Sequence, residues 1–286
     1  MKLNGEILKQ LSQYKLDGAE GFLSYYEGER KSRNKGRSQE FSDYRPYDLG
    51  DDIRMIDWNA YGRTDQYYVK LYEEERESRI TIVLDHSGSM AFSEKQKEYA
   101  EMLVAMFAYV GLAAGDSVRL IVQKESGVYS ETDFCKGIDK QHHFYQMMEG
   151  LEWRGEMDFE SLTQKIRFAR GITVWISDFL YESVEAAHRY LTLAKQHVIG
   201  VQLLTKETLS PDMHGAYEFE NIESRDVLSM DVTPAVLRAY HAALCGHLEA
   251  VEHTMVASGG RYVLINVDEE DGAQVLAKLL LHRILR

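Results

Sequence analysis

In the stretch VLDHSGSMAF, residues 83–92, a carboxylate and two hydroxyls alternate as Asp85-x-Ser87-x-Ser89. They follow the apolar run Ile80–Leu84, so hard oxygen ligands gather where a buried strand is expected to end. A second apolar run, ITVWISD (172–178), also finishes in a carboxylate, Asp178. Mg²⁺ takes about six oxygen ligands and keeps several of them as water, so it needs few protein carboxylates. Alternate residues in a loop leaving a strand can turn toward one point. Asp85, Ser87, Ser89 and Asp178 therefore have the makings of a site for Mg²⁺ or Mn²⁺, with a position left over for a partner's Glu or Asp. The competing reading is an ordinary strand-to-helix turn in which Ser87 or Ser89 caps the helix that follows.

Two catalytic readings compete with these. In a Mg²⁺-dependent phosphohydrolase Asp85 would be the nucleophile that accepts the phosphoryl group. The acid expected two residues on, to protonate the leaving group, is replaced by Ser87. A serine nucleophile fits no better, because HSGSM is not G-x-S-x-G and no His base is identifiable.

The elements that must hold these residues can be read from periodicity. From Arg79 onward strands and helices alternate: strand 79–85, helix 94–113, strand 117–123 and an edge strand 128–134. Helices 139–150 and 158–169 precede strand 172–178, then come helix 182–196 and strand 197–204. Thr233-Pro234 opens a long helix with a hydroxyl at the N-cap and Pro at the first position. Strand 261–267 and a last helix, 269–286, complete the pattern. Such alternation predicts an α/β fold, a doubly wound and mainly parallel sheet with helices on both faces. Ligands of such sheets sit at the carboxyl ends of the strands, where Asp85 and Asp178 fall.

Residues 1–78 differ. They are polar and tyrosine-rich, with a basic stretch Arg30, Lys31, Arg33, Lys35, Arg37, best read as a solvated loop. Ile7, Leu8 and Leu11 suggest one short amphipathic helix, and YYVKLYEEE (67–75) alternates as a strand. Arg45, Asp51, Asp52, Arg54, Asp57 and Arg63 read as a network of ion pairs and turn caps, with Trp58 as a core anchor. The expected division is a leader over 1–78, β-rich and packed on the main domain, and an α/β domain over 79–286.

The formal charge of −13 argues against a surface that grips nucleic acid or anionic membrane. Cys135 and Cys245 fit no zinc or redox spacing and read as reduced packing residues, which suits the cytoplasm. The start of the chain lacks the apolar core of a signal peptide, and no run approaches the roughly 18–20 apolar residues of a membrane helix. A soluble, cytoplasmic monomer is expected.

VLDHSGSM resembles the first motif, D-x-S-x-S, of the metal-ion-dependent adhesion site in von Willebrand factor A-like domains, and VWISDF resembles the third. The segment Gly28–Glu75 resembles the leader of the bacterial family catalogued as domain of unknown function 58. It carries Gly28, Ser32, Gly36, Glu40, Phe41, Arg45, Tyr47, Gly50, Asp51, Asp52, Arg54, Ile56, Asp57 and Trp58 in that family's pattern. The resemblance implies a von Willebrand A-like domain without established catalysis. Its members are often encoded beside AAA+ ATPases of the MoxR type, which implies a co-chaperone or adaptor that meets such an ATPase, a client protein, or both. In one place the chain departs from the pattern. The second adhesion-site motif supplies a Thr, and RGEMDF places Met157 there, a soft ligand poorly suited to Mg²⁺. Asp158 is the residue that could substitute, and the site is expected to bind metal weakly.

Overall fold

A computed structural model describes residues 10–18, 39–48, 50, 51, 53–74, 78–125, 128–155, 157–159, 162, 165–181, 183–222 and 225–286. The basic stretch 30–37, Asp52, and Ile7 with Leu8 lie outside the described residues. The chain forms two compact units, Glu27–Glu77 on the one hand and Met1–Tyr26 with Ser78–Arg286 on the other.

In the smaller unit β1 (Gln39–Pro46) pairs antiparallel with β2 (Tyr68–Glu74), with a bulge between Phe41 and Asp43. Between them runs the short helix α1 (Trp58–Thr64). Asp57 starts it, its carboxylate accepting from the backbone N–H groups of Asn59 and Ala60 at 2.8 and 3.3 Å. The Tyr44 hydroxyl donates to the other carboxylate oxygen at 2.8 Å. Arg45 clamps Asp51 with two hydrogen bonds of 2.6 and 2.8 Å, the geometry of a bidentate pair. Trp58 is not the core anchor expected of it. It is 58% exposed, edge-on to Tyr61 and Tyr67, whose rings stack at 4.6 Å.

The larger unit is built on a six-stranded sheet whose strands are β3 (Arg79–Leu84), β4 (Ser117–Glu125), β5 (Val128–Glu131), β6 (Gly171–Ser177), β7 (Gln196–Leu204) and β10 (Arg261–Asn266). Their order is β10-β7-β6-β3-β4-β5, all parallel except β5, which runs antiparallel on β4 at the edge. The helices between and after them are α2 (Glu94–Ala113), α3 (Gln141–Met148), α4 (Val184–Leu193), the single turn α5 (Lys206–Leu209), α6 (Pro234–Ala257) and, past β10, α7 (Gly272–Leu281). The antiparallel hairpin β8 (Gly215–Glu220) with β9 (Val227–Val232) was not anticipated.

Alternation along the strands sorts the core into two layers. Ile80, Ile82 and Leu84 of β3 and Ile172, Val174 and Ile176 of β6 face one layer, with α2, α3 and α7. Val83 and Trp175 face the other, with α4 and α6. Helices therefore cover both faces, which is why the central strands read as continuous apolar runs rather than alternating ones. At Gly111 the helix α2 lies close against the sheet. A Cβ there would sit 2.7 Å from both Ile80 and Val118.

Several boundaries moved for identifiable reasons. The last helix spans 272–281, not 269–286, because Asp271 and Gln274 form a capping box ahead of it. Beyond its end Arg283 is left-handed, and Leu285 turns back to bridge Leu16. Residues 10–18 thereby join the sheet unit, with Leu11 and Leu16 in its core. The helix expected over 158–169 lies partly outside the described residues, but Phe159, Leu162 and Lys165 are helical. Both cysteines are free thiols, and Cys245 is exposed rather than packed. Among the described residues no helix is long and apolar enough to cross a membrane.

Candidate functional site

Strands β3 and β6 are neighbours, with Leu84 beside Ile176. The chain leaves β3 for α2 on one face of the sheet, and leaves β6 for α4 on the other. Connections that part in this way open a crevice at the carboxyl ends of the two strands, the usual ligand position of such sheets. Asp85 and Asp178 are the first residues past those two ends. The expectation that both carboxylates sit at one sheet edge is met by the topology itself.

The Asp85 side chain is fully buried. One of its oxygens accepts the Ser87 backbone N–H at 3.0 Å, and the other accepts the Ser177 hydroxyl at 2.6 Å. The Ser87 and Ser89 hydroxyls stand 3.0 Å apart, so the alternating spacing does bring both to one place. Asp178 is almost as deeply buried, its carboxylate accepting the Leu180 N–H at 3.1 Å. Its own carbonyl takes the Gln202 side-chain amide at 2.5 Å, and Gln202 in turn accepts from the Tyr262 hydroxyl.

Phe179, next in the chain, is left-handed at φ 52°, a conformation a bulky side chain rarely adopts. Two contacts hold it there. Its N–H donates to the Ser177 hydroxyl oxygen at 2.9 Å, and its carbonyl accepts from His247 Nε2 of α6 at 2.7 Å. A carbonyl can only accept, so His247 carries its proton on Nε2.

The electrostatics of the site favour a cation. Burial and then the charge of Asp178 push the Asp85 carboxyl up to about 7, while hydrogen bonds from Ser177 and Ser87 pull it back. Burial also raises Asp178, against the pull of the Ser89 hydroxyl, the Leu180 N–H and His247. Among the described residues neither carboxylate forms an ion pair. Two buried carboxyls side by side, with His247 acting only on Asp178, are costly to ionise together, and a divalent cation is the simplest group that would relieve both. The donor set of two carboxylates and two hydroxyls suits Mg²⁺ or Mn²⁺ in kind.

Asp158 and Met157 lie on a neighbouring loop. The loop that carries them approaches the first motif, since Gly88 N–H donates to the Gly155 carbonyl at 2.8 Å. Met157, however, packs against the apolar layer of Phe159, Trp175 and Phe179. Asp158 is half-buried, and its carbonyl accepts the Leu162 N–H at 3.3 Å. Among the described residues no three Asp, Glu, His or Cys side chains converge as a metal cluster.

Ser177 and His247 went unnoticed in the sequence. Ser177 had a signal, a hydroxyl interrupting an apolar run immediately before its terminal Asp. His247 had none, because its role depends on where α6 crosses the sheet.

The model of the family described as "Protein of unknown function DUF58" matches residues 43–250. The uncharacterized protein Rv1480 of Mycobacterium tuberculosis is 22% identical over 246 residues, which cover 82% of this chain and 77% of that protein. Among solved structures, an aerotolerance-related membrane protein from Bacteroides fragilis with multiple mutations to serines is 16% identical, with a TM-score of 0.42. The match covers 72% of this chain and 98% of that one. The conserved hypothetical protein BatB from Bacteroides thetaiotaomicron is 14% identical, with a TM-score of 0.41 and the same two coverages.

Proposed function

This chain belongs to the DUF58 family, and from that premise we propose that it is a non-catalytic protein-interaction module acting through the crevice between β3 and β6. Asp85, Ser87, Ser89 and Asp178 would hold Mg²⁺ or Mn²⁺ there. The cation would supply a Lewis-acidic position for a carboxylate of a partner protein. The partner is an AAA+ ATPase of the MoxR type, or a client that such an ATPase remodels.

One observation carries this reading. Two buried carboxylates and two hydroxyls converge where the sheet's connections part, and neither carboxylate has an ion-pair partner among the described residues. A purely structural turn would not need the second buried acid. The same geometry disfavours a phosphohydrolase. Ser87 stands where an acid would be needed to protonate the leaving group.

Purified protein immobilised and challenged with a MoxR-type ATPase and ATP tests the proposal. Binding in Mg²⁺ that is lost in EDTA and in Asp178→Asn supports it. Binding that ignores both treatments moves the contact elsewhere. Metal-dependent turnover of a phosphomonoester, abolished in Asp85→Asn, would replace the reading with the hydrolase.

A further inference from the structure

The hairpin β8–β9 has two chemically different faces, and the apolar one is turned to solvent. Cross-strand pairing sets Tyr217 opposite Met230 and Phe219 opposite Leu228, so these four share one face. The Tyr217 and Phe219 rings lie 5.9 Å apart, as same-face neighbours two residues apart should. All four side chains are exposed, Leu228 at 57%. The opposite face carries Glu218 and Asp231, also exposed. Over residues 215–232 the sequence has five acidic residues and one basic, Arg225, which is engaged with Glu220 at 2.9 Å.

A two-stranded ribbon is marginal in water on its own, and proteins usually cover or blunt such edges. Here the sheet ends at two strands, and neither outer edge is paired among the described residues. An apolar face, an acidic face and open edges together define what would complete it. A third strand would place alternate side chains on the two faces. It would need apolar residues over Tyr217, Phe219, Leu228 and Met230, and basic residues beside Glu218 and Asp231.

We infer that the β8–β9 hairpin is a docking edge for an extended segment of another protein in which apolar and basic residues alternate. Strand addition supplies the main-chain hydrogen bonds, and the two faces supply the specificity. A second copy of this chain is the poorer occupant, because the acidic face would meet its own charge. This surface is separate from the cation site, and the inference stands or falls independently of it.

The test uses the full chain in EDTA, so that the cation site is silent, with fluorescent synthetic peptides. One alternates Lys and Val, one has the same composition in two blocks, and one alternates Glu and Val. The alternating Lys peptide should bind at least about tenfold tighter than either control, and more weakly as salt is raised. The double variant Glu218→Lys with Asp231→Lys should lose about tenfold for the Lys peptide and gain for the Glu peptide. Leu228→Ser should weaken both. Equal binding of alternating and block peptides, or indifference to the charge reversal in a variant that melts like wild type, overturns the inference. A doubled solution mass that Leu228→Ser abolishes would assign the face to a second copy instead.

Discussion

The Ser177 hydroxyl donates to Asp85 across the junction of two parallel strands, at 2.6 Å and with both side chains buried. The same oxygen accepts the Phe179 N–H, so one hydroxyl ties the first acidic residue to the loop that carries the second. Ser177→Ala should therefore weaken divalent-cation binding although Ser177 is not placed among the ligands. Losing an outer partner of this kind typically lowers metal affinity about 10–100-fold. Titration calorimetry with Mn²⁺ measures it, and Ser177→Thr, which keeps the hydroxyl, should restore most of the loss.

Asp85→Asn should raise the melting temperature in EDTA at pH 8. The carboxylate is buried beside Asp178 without a basic partner, so neutralising it removes a repulsion. Asn can still accept from the Ser87 N–H and donate to Ser177. Each kcal/mol relieved is worth about 2–4 °C in a chain of this size class. The stabilisation that Mg²⁺ gives to wild type should vanish in the same variant. A lower melting point in EDTA would mean that the carboxylate is structural.

Met157→Thr pits two effects against each other. The thioether packs on the apolar layer of Phe159, Trp175 and Phe179, so its loss should destabilise by about 1 kcal/mol. A hydroxyl there offers a ligand, or a hydrogen bond to a metal-bound water, and Mg²⁺ affinity should rise severalfold. Calorimetry and thermal melts on the one variant read both effects. Unchanged affinity would show that the loop holds residue 157 away from the crevice.

His247→Ala removes the donor to the Phe179 carbonyl. The hydrogen bond is worth about 0.5–1.5 kcal/mol net, and without it a left-handed Phe beside Asp178 is less well held. Cation affinity should fall with stability, and His247→Gln, which keeps a donor, should fall less. Equal effects of the two substitutions would mean that the imidazole matters only for packing.

His188 makes an acid-side prediction. Burial between α4 and α6 holds its pKa below 6.5, with Ser258 at 3.1 Å its hydrogen-bond partner. The unfolded chain then takes up a proton near pH 6.5 that the folded chain refuses. The stability is present above that pH and is lost as pH falls from 6.5 toward the folded value. His188→Gln should thus gain on wild type in melting temperature as pH is lowered from 7 to 5. A constant difference across that range would place the proton elsewhere.

The strand ends that form the site were legible because a strand buried on both faces must be apolar throughout, so any carboxylate closing the run stands out. Helix α2 was legible to the residue from its apolar sides, although its cap is Ser93 and neither Ser87 nor Ser89. Trp58 misled because size alone suggested burial, whereas its ring rests on two tyrosines at the surface. The hairpin carried the right alternation at Tyr217, Phe219, Leu228 and Met230. It escaped notice because alternation normally marks a face turned to a core, and this one has none. The role of His247 was invisible in principle, since it belongs to the crossing of α6 and not to any local pattern.

Asp85 and Ser177 are 92 residues apart in the chain, and that interval orders events on the ribosome. As synthesis proceeds, β3 can pair with β4 long before Gly171–Ser177 has been made. Until then the other edge of the central strand is bare and Asp85 lacks its hydroxyl partner. Long-range parallel pairing of this kind is slow and leaves unpaired edges open to wrong partners. A nascent chain halted before Gly171 would thus present an apolar strand with one naked side, a natural ligand for chaperones and a ready seed for aggregation.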